Sequence, residues 1–215
     1  DGLYDPAYGP VSPSTPCYWE GVEDFYPHDL EKAKQILTEA GFEDTDGDGI
    51  MELDGEDLAL DFYWNAGITG WTELAEAVQA QMRGAGIHLE LHGLERDAYF
   101  SAVHDARQDL NFMWYERTDP DILRILFHSE QAVEGGFNRA YYRNAEVDEH
   151  LEKGSETANM EERCEHYRIA QEQIMEDAAC VPVNNRVVFW GVHEHVKDIV
   201  LLRQVPFYQD VFVEE

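Results

Sequence analysis

The chain has 215 residues, 44% hydrophobic and 12% aromatic, which excludes a disordered acidic tail and leaves enough for one large core or two modest ones. Its 45 acidic residues outweigh 15 lysines and arginines, and a net charge of −30 repels DNA, RNA and anionic membranes, so no nucleic-acid partner is expected. The acids are spread along the whole chain and lysine is scarce, a composition that suits concentrated salt, where mobile ions screen self-repulsion. A field that draws in a cationic ligand is the competing reading.

Cys17, Cys164 and Cys180 are odd in number and lack metal-type spacing, so a disulfide framework is not expected and one bridge is the maximum. No apolar run approaches transmembrane length and no signal peptide is present. The abrupt start, rich in proline and glycine, reads as the interior of a longer protein, with any targeting signal lying outside this stretch.

Residues 1–27 read as an irregular, aromatic lead-in. Asp29 then caps a helix whose Leu30, Ala33, Ile36, Leu37 and Ala40 share one face, and Gly41 ends it in the left-handed conformation. Residues 50–53, the Asp54-Gly55 turn and residues 58–64 predict a β-hairpin. A loop with Asn65, Gly67, Thr69 and Gly70 leads into a helix whose Leu74, Val78 and Met82 face inward, closed by Gly84 and Gly86. Ile87, Leu89 and Leu91 alternate with His88, Glu90 and His92, the pattern of a half-buried strand.

A helix around residues 97–107 and a strand over 109–115 follow, and Asp119-Pro120 predicts a helix over Ile122–Phe127. Asn144 and Asn159 cap two further helices, the second with Glu162 completing a capping box. An apolar strand near residues 181–190 is expected to finish the core. Strands alternating with helices predict an α/β fold, a mixed β-sheet flanked by helices. No nucleophile with a base and orienting partner, phosphate-cradling loop or HExxH motif occurs, so the chain is expected to hold a solute and not to transform it.

Several segments, in order, resemble a known family. They are Asp29-Leu30-Glu31-Lys32-Ala33 with Ile36-Leu37 and Ala40-Gly41-Phe42, then Asp46-Gly47-Asp48-Gly49-Ile50 with Asp54-Gly55. AEAVQAQ from Ala75 and GIHLEL from Gly86 follow, then Asp109-Leu110 through Trp114, Asp119-Pro120-Asp121, Asn144-Ala145-Glu146-Val147-Asp148, and Glu162-Arg163 with Tyr167. The set resembles the second, ligand-closing lobe of family 5 extracytoplasmic solute-binding proteins, the oligopeptide-, dipeptide- and nickel-binding components of ABC importers. The resemblance implies a periplasmic-binding-protein-like lobe over 28–195, with 1–27 as a lead-in crossing and 196–215 as a tail or return crossing. The first lobe, with its anchor or signal peptide, would precede Asp1. The whole would close about a hinge on a small peptide or similar polar solute and deliver it to membrane permease subunits, without catalysis. A sugar, a metal chelate or an anion is the alternative ligand.

The leading site is the loop Trp114, Tyr115, Glu116, Arg117, Thr118 and Asp119, which follows a strand and precedes a helix, where open α/β sheets present their crevices. By the resemblance, Trp114 lines the cleft, and Arg117 stands where peptide binders keep an acid for the peptide's amino group. Here Arg117 suits a carboxylate or another anion, or pairs with Glu116 or Asp119 on the surface. Trp64, Asn65, Ile68 and Thr69 are candidates for a second wall, at free backbone N–H groups that also suit a plain helix start. Asn138 and Tyr141 are ligand candidates or parts of a structured loop.

Asp44, Asp46, Asp48 and Glu52 match the front half of a Ca²⁺-binding EF-hand loop, but Gly55 stands where the bidentate glutamate belongs; a metal-free acidic turn is the alternative, and no other cofactor is expected. His88 with His92 and His193 with His195 share faces and read as solvated or metal-ligating pairs. Two rivals from other classes remain: a carbohydrate- or peptide-processing enzyme using Glu116 and Asp119, and a Ca²⁺-dependent interaction module.

Overall fold

Alternating apolar side chains build the sheet that organises the chain in the computed structural model, which describes residues 4–115, 117, 119–202 and 205–214. In chain order the elements are strand β1 (Tyr4–Pro6), helix α1 (Leu30–Glu39), strands β2 (Glu52–Leu53), β3 (Glu56–Asp57) and β4 (Ala59–Asn65), helix α2 (Trp71–Gly84), strand β5 (His88–Leu94), helix α3 (Arg96–His104), strand β6 (Leu110–Asn111) and helix α4 (Ile122–Phe127). Helices α5 (Ala145–Glu156) and α6 (Met160–Glu176) follow, then strands β7 (Asn184–Arg186), β8 (Val196–Lys197), β9 (Val200–Leu202), β10 (Val205–Phe207) and β11 (Phe212–Val213). No helix among the described residues is long and apolar enough to cross a membrane.

The central sheet has the order β5-β4-β6, with both neighbours parallel to β4, while the remaining strand pairs are separate antiparallel ribbons. Both connections within the sheet are helical. Because β5 and β6 flank β4 on opposite sides, right-handed crossovers place α2 and α3 on opposite faces. Phe62, Trp64 and Leu89 point to the α2 face, where Ala75, Val78 and Met82 meet them. Burying each of these large apolar side chains contributes about 1.5–3 kcal/mol. Gly93 in β5 leaves room for the Trp64 indole, since a Cβ there would stand 2.7 Å from Trp64 Cζ2.

A second core is helical. Leu123 and Phe127 of α4, Val147 and Leu151 of α5, and Tyr167, Ala170 and Ile174 of α6 enclose it together with Val11 of the lead-in. A disulfide between Cys17 and Cys164 ties that lead-in to α6 across 147 residues of sequence, and Gln171 reinforces the seam by donating to the Cys17 carbonyl at 2.8 Å. This is the single bridge the cysteine count allowed; Cys180 remains free.

Helix boundaries follow local chemistry. Asp29 accepts the Lys32 N–H at 2.9 Å, and Asn144 and Asn159 each accept two N–H groups of the first turn that follows. Gly41 (φ +96°) closes α1 with the paired bonds Gly41 N–H to Thr38 and Phe42 N–H to Leu37, both 3.0 Å.

Four expectations need correction. The hairpin is confined to β2 and β3 around Asp54-Gly55; β4 leaves it because both its neighbours run parallel to it in the central sheet. The strand expected over 109–115 forms only at Leu110–Asn111, and the chain then turns away as an irregular loop. Near residues 181–190 the sole strand is β7, paired with β1, and Val181 and Phe189 are exposed, so this run forms an outer ribbon and not a core strand. The capping box also differs: Glu162 accepts the Thr157 hydroxyl at 2.9 Å, and that hydroxyl in turn accepts the Asn159 N–H at 3.2 Å. Thr157 thus takes the place Glu162 was expected to fill.

Candidate functional site

The carboxyl ends of β4 and β6 meet at the point where the chain order of the sheet reverses, which is where open parallel sheets leave a crevice. From β4 the backbone enters the Asn65–Gly70 turn, and from β6 it enters the loop carrying Trp114. The β1–β7 ribbon crosses this edge. Tyr4 lies opposite Arg186 in the ribbon, and the Tyr4 hydroxyl is 3.9 Å from where a Cβ on Gly70 would stand. The Arg186 guanidinium lies over the Trp114 ring, 5.4 Å from its centre. Three segments remote in sequence thus converge on one edge: the start of α2, the Trp114 loop and the ribbon. Tyr4 and Arg186 were missed in the sequence because their only signal is a pairing between opposite ends of the chain.

Trp114 is 45% exposed, so an indole stands open to solvent at this edge. Tyr115 turns inward toward the helical core and Phe137, and burial raises its phenol pKa, with Arg139 acting in the opposite direction. Glu116 and Thr118 lie outside the described residues. Arg117 is exposed and has no ion-pair partner among the described residues. Asp119 accepts from Arg163 Nη2 at 2.8 Å and from the Asp121 N–H at 2.9 Å. Asp121 holds Arg124 through two bonds of 3.0 and 2.9 Å and accepts the Tyr167 hydroxyl at 3.2 Å. Beside this network lies a cleft of about 230 Å³ lined by Arg117, Asp119, Asp121, Ile122, Ile125, Ser155 and Arg163.

The residues expected to form the second wall are placed differently. Trp64 is 4% exposed, packed on the α2 side and donating to Thr72 Oγ1 at 3.2 Å, so it supports the edge from within. Asn65 shapes the turn by accepting the Gly67 N–H at 2.9 Å, while Ile68 is half-buried and Thr69 exposed. Gly70 (φ +87°) precedes α2 with no side-chain cap. Asn138 is not available to a ligand. It is 1% exposed, its Nδ2 donates to the carbonyls of His128 and Tyr142, and its Oδ1 accepts the Tyr142 N–H. Tyr141 donates its hydroxyl to the His104 carbonyl at 3.3 Å.

The acidic loop is satisfied largely by its own backbone. Asp44 accepts from the N–H groups of Gly47 and Gly49, Asp46 from Asp48, and Asp48 from Ile50. Carboxylate oxygens of Asp44, Asp46 and Asp48 come within 4.8 Å of one another, but Glu52 does not join them: it is 7% exposed and accepts the Thr45 N–H at 2.7 Å. Its place in β2, bridged to Glu43, turns it under the loop.

On the sheet, His92 Nε2 lies 2.6 Å from Asp61 Oδ1 and the His92 ring stacks on Tyr63, so this histidine is held by strand neighbours. Glu90 completes a triple of possible donors with them. His193 and His195 stack at 5.0 Å.

Residues 1–131 match the model of "Bacterial extracellular solute-binding proteins, family 5 Middle". The oligopeptide-binding protein AppA of Bacillus subtilis is 31% identical over 181 residues, covering 82% of this chain and 33% of AppA. Di/tripeptide-binding protein 4 of Pseudomonas aeruginosa is 27% identical over 188 residues, covering 85% of this chain and 33% of its own length. Among solved structures, Bacillus subtilis AppA in complex with a nonapeptide superposes with a TM-score of 0.78 at 26% identity, covering all of this chain and 43% of that one. The chain therefore spans about a third of the length of the curated relatives it matches.

Proposed function

Because the chain belongs to the bacterial extracellular solute-binding proteins of family 5, we propose that it forms the ligand-closing lobe of the substrate-binding component of an ABC-type peptide importer. The observation that carries this reading is the convergence at the sheet edge. An exposed Trp114 stands at the topological switch point, in contact through Arg186 with a two-stranded ribbon. In this reading β1 and β7 are the crossings to a first lobe of the same full-length chain, so the return crossing is read at Asn184–Arg186 and not in residues 196–215, where the resemblance had put it. The ribbon flexes when the lobes close on a solute, and the lobe delivers that solute to permease subunits.

Two further features support it. Val181, Phe189, Tyr208 and Val213 are 65–77% exposed, a run of apolar side chains suited to covering by another lobe. The Cys17–Cys164 bridge fits an oxidising, extracytoplasmic compartment, where such bonds persist. Peptide binding is named for the relatives AppA and di/tripeptide-binding protein 4, and is proposed here for this protein. The protein is read as a carrier without catalysis, as its family is one of solute-binding proteins.

Calorimetric screening of the full-length protein against di- to pentapeptides, oligosaccharides and Ni²⁺ chelates tests the proposal. A short peptide should give the tightest binding and be recovered intact. Preferential binding of a sugar or chelate, or cleavage of the peptide abolished by Glu116→Gln, would overturn it.

A further inference from the structure

The face of the central sheet turned away from α2 gathers three donors of the kind that hold metal ions. Asp61 and Tyr63 of β4, with Glu90 and His92 of β5, point there because they alternate with Phe62, Trp64, Leu89 and Leu91 of the buried face. The parallel register sets Asp61 directly opposite Glu90, and Tyr63 opposite His92. Two carboxylates side by side on neighbouring strands repel each other. No lysine or arginine pairs with either among the described residues. The group that meets them is the His92 imidazole, whose Nε2 lies 2.6 Å from Asp61 Oδ1.

Donor atoms of Asp61, Glu90 and His92 all lie within 4.8 Å of one another. Their supports are fixed. Asp61 is held by β5 on one side and by Asp109 on the other: Asp109 Oδ2 accepts the Asp61 N–H at 2.8 Å, and the Asp109 N–H donates to the Asp61 carbonyl at 3.0 Å. The His92 ring stacks on Tyr63, with centroids 4.4 Å apart and planes 22° from parallel. The donors are also reachable from solvent, since the side chains of His92 and Asp61 are 33% and 41% exposed and Glu90 is exposed. The acidic loop at Asp44 differs on both counts: its carboxylates are taken up by its own backbone, and it brings no imidazole.

We propose that Asp61, Glu90 and His92 form a site for a divalent ion of the zinc class, held by one imidazole and two carboxylates with water completing the shell. Zinc accepts this mixed nitrogen and oxygen set, whereas a hard cation such as Ca²⁺ prefers oxygen alone. Ligands about 2.0–2.2 Å from the ion stand about 3–3.5 Å apart, so His92 and Asp61 part by less than about 1 Å to admit it. The ion takes the place of the proton between them, offsets the repulsion between Asp61 and Glu90, and ties β4 to β5. The site is separate from the solute edge, because Asp61 precedes Asn65 by four residues, about 13 Å along the strand. It stands whether or not the receptor reading does.

Calorimetric titration of the chelator-treated full-length protein with ZnCl₂, in a non-coordinating buffer at about pH 7.5 and with excess CaCl₂ present to fill weak carboxylate sites, tests this. The wild type should bind one Zn²⁺ at micromolar affinity, and its melting temperature should rise with the metal. Asp61→Asn, Glu90→Gln and His92→Gln should each weaken Zn²⁺ by at least about tenfold, a loss that even a supporting group causes at a metal site. Glu90 is exposed, so its amide variant keeps the fold even if the Asp61–His92 pair proves necessary for folding, and melting without metal confirms this. Zn²⁺ affinity unchanged in all three variants would place the ion elsewhere and overturn the proposal. One such place is between His150 and His166, whose Nδ1 atoms are 3.0 Å apart. Absence of any Zn²⁺ binding in the presence of Ca²⁺ would overturn it as well.

Discussion

Arg186 lays its guanidinium over the indole of Trp114, 5.4 Å from the ring centre, although the two are 72 positions apart in the chain. The contact joins the ribbon that pairs Tyr4–Pro6 with Asn184–Arg186 to the loop at the carboxyl edge of the sheet. A change in the ribbon's direction must move Arg186, and Arg186 touches the one large aromatic side chain this loop exposes. In a hinge-closing receptor, that is where lobe movement and ligand contact would be coupled.

The Cys17–Cys164 bridge closes a loop of 147 residues and fastens the lead-in to α6. Replacing both cysteines with serine should cost about 2–5 kcal/mol, because a long loop regains its freedom in the unfolded chain. Urea unfolding with and without reductant measures this directly. Reductant should lower the midpoint of the wild type and leave that of the double variant unchanged.

Cys180 behaves in the opposite sense, as a free thiol whose pKa burial pushes up to about 12. Only the thiolate reacts with alkylating reagents, and raising the pKa keeps the neutral form dominant below that value. Alkylation of the native protein by iodoacetamide should therefore stay slow through pH 10 and accelerate as the pH nears 12. Rapid labelling at pH 8, followed by mass spectrometry, would show the thiol to be more open than this.

Helix α6 ends on an alanine where a glycine fits better. Ala178 sits at φ +51°, with Ala178 N–H bonded to Met175 and Ala179 N–H to Ile174. A Cβ is disfavoured in that conformation, so Ala178→Gly should stabilise the protein by about 0.5–1 kcal/mol. Thermal unfolding at constant ionic strength checks the sign; a lower melting temperature would mean that the Ala178 methyl contributes more through packing than it costs in backbone strain.

Much of this fold was legible because helix ends carry their own chemistry. Asp29, Asn144 and Asn159 each announced a cap, and Asp119-Pro120 announced the start of α4, since these signals act over three or four residues. Strands were harder. Leu110–Asn111 is too short to show a period, and the apolar run near Val181 pairs with a segment almost 180 residues away. Trp64 could have been placed from parity alone: it shares a face with Phe62, and that face is the buried one. Neither the Cys17–Cys164 pairing nor the contact between Arg186 and Trp114 has a local signature, so both required the folded chain.

A net charge of −30 on a chain of this size repels itself in dilute buffer. Potassium chloride shortens the range of that repulsion to about 3 Å at molar concentration. The melting temperature should therefore climb steadily from dilute to molar KCl. A flat profile would remove the reading of the surface as adapted to concentrated salt.

In the proposed receptor the Trp114 edge receives the solute, and removing the indole separates binding from folding. Titrating the full-length protein with short peptides should give nanomolar-to-micromolar binding, about 8–12 kcal/mol. Trp114→Ala should weaken it about ten- to a hundredfold. Because Trp114 is 45% exposed and carries the Arg186 guanidinium on its ring, the same substitution should cost about 1–2 kcal/mol of stability and leave the protein folded. Undiminished peptide affinity in a stably folded Trp114→Ala protein would contradict the account.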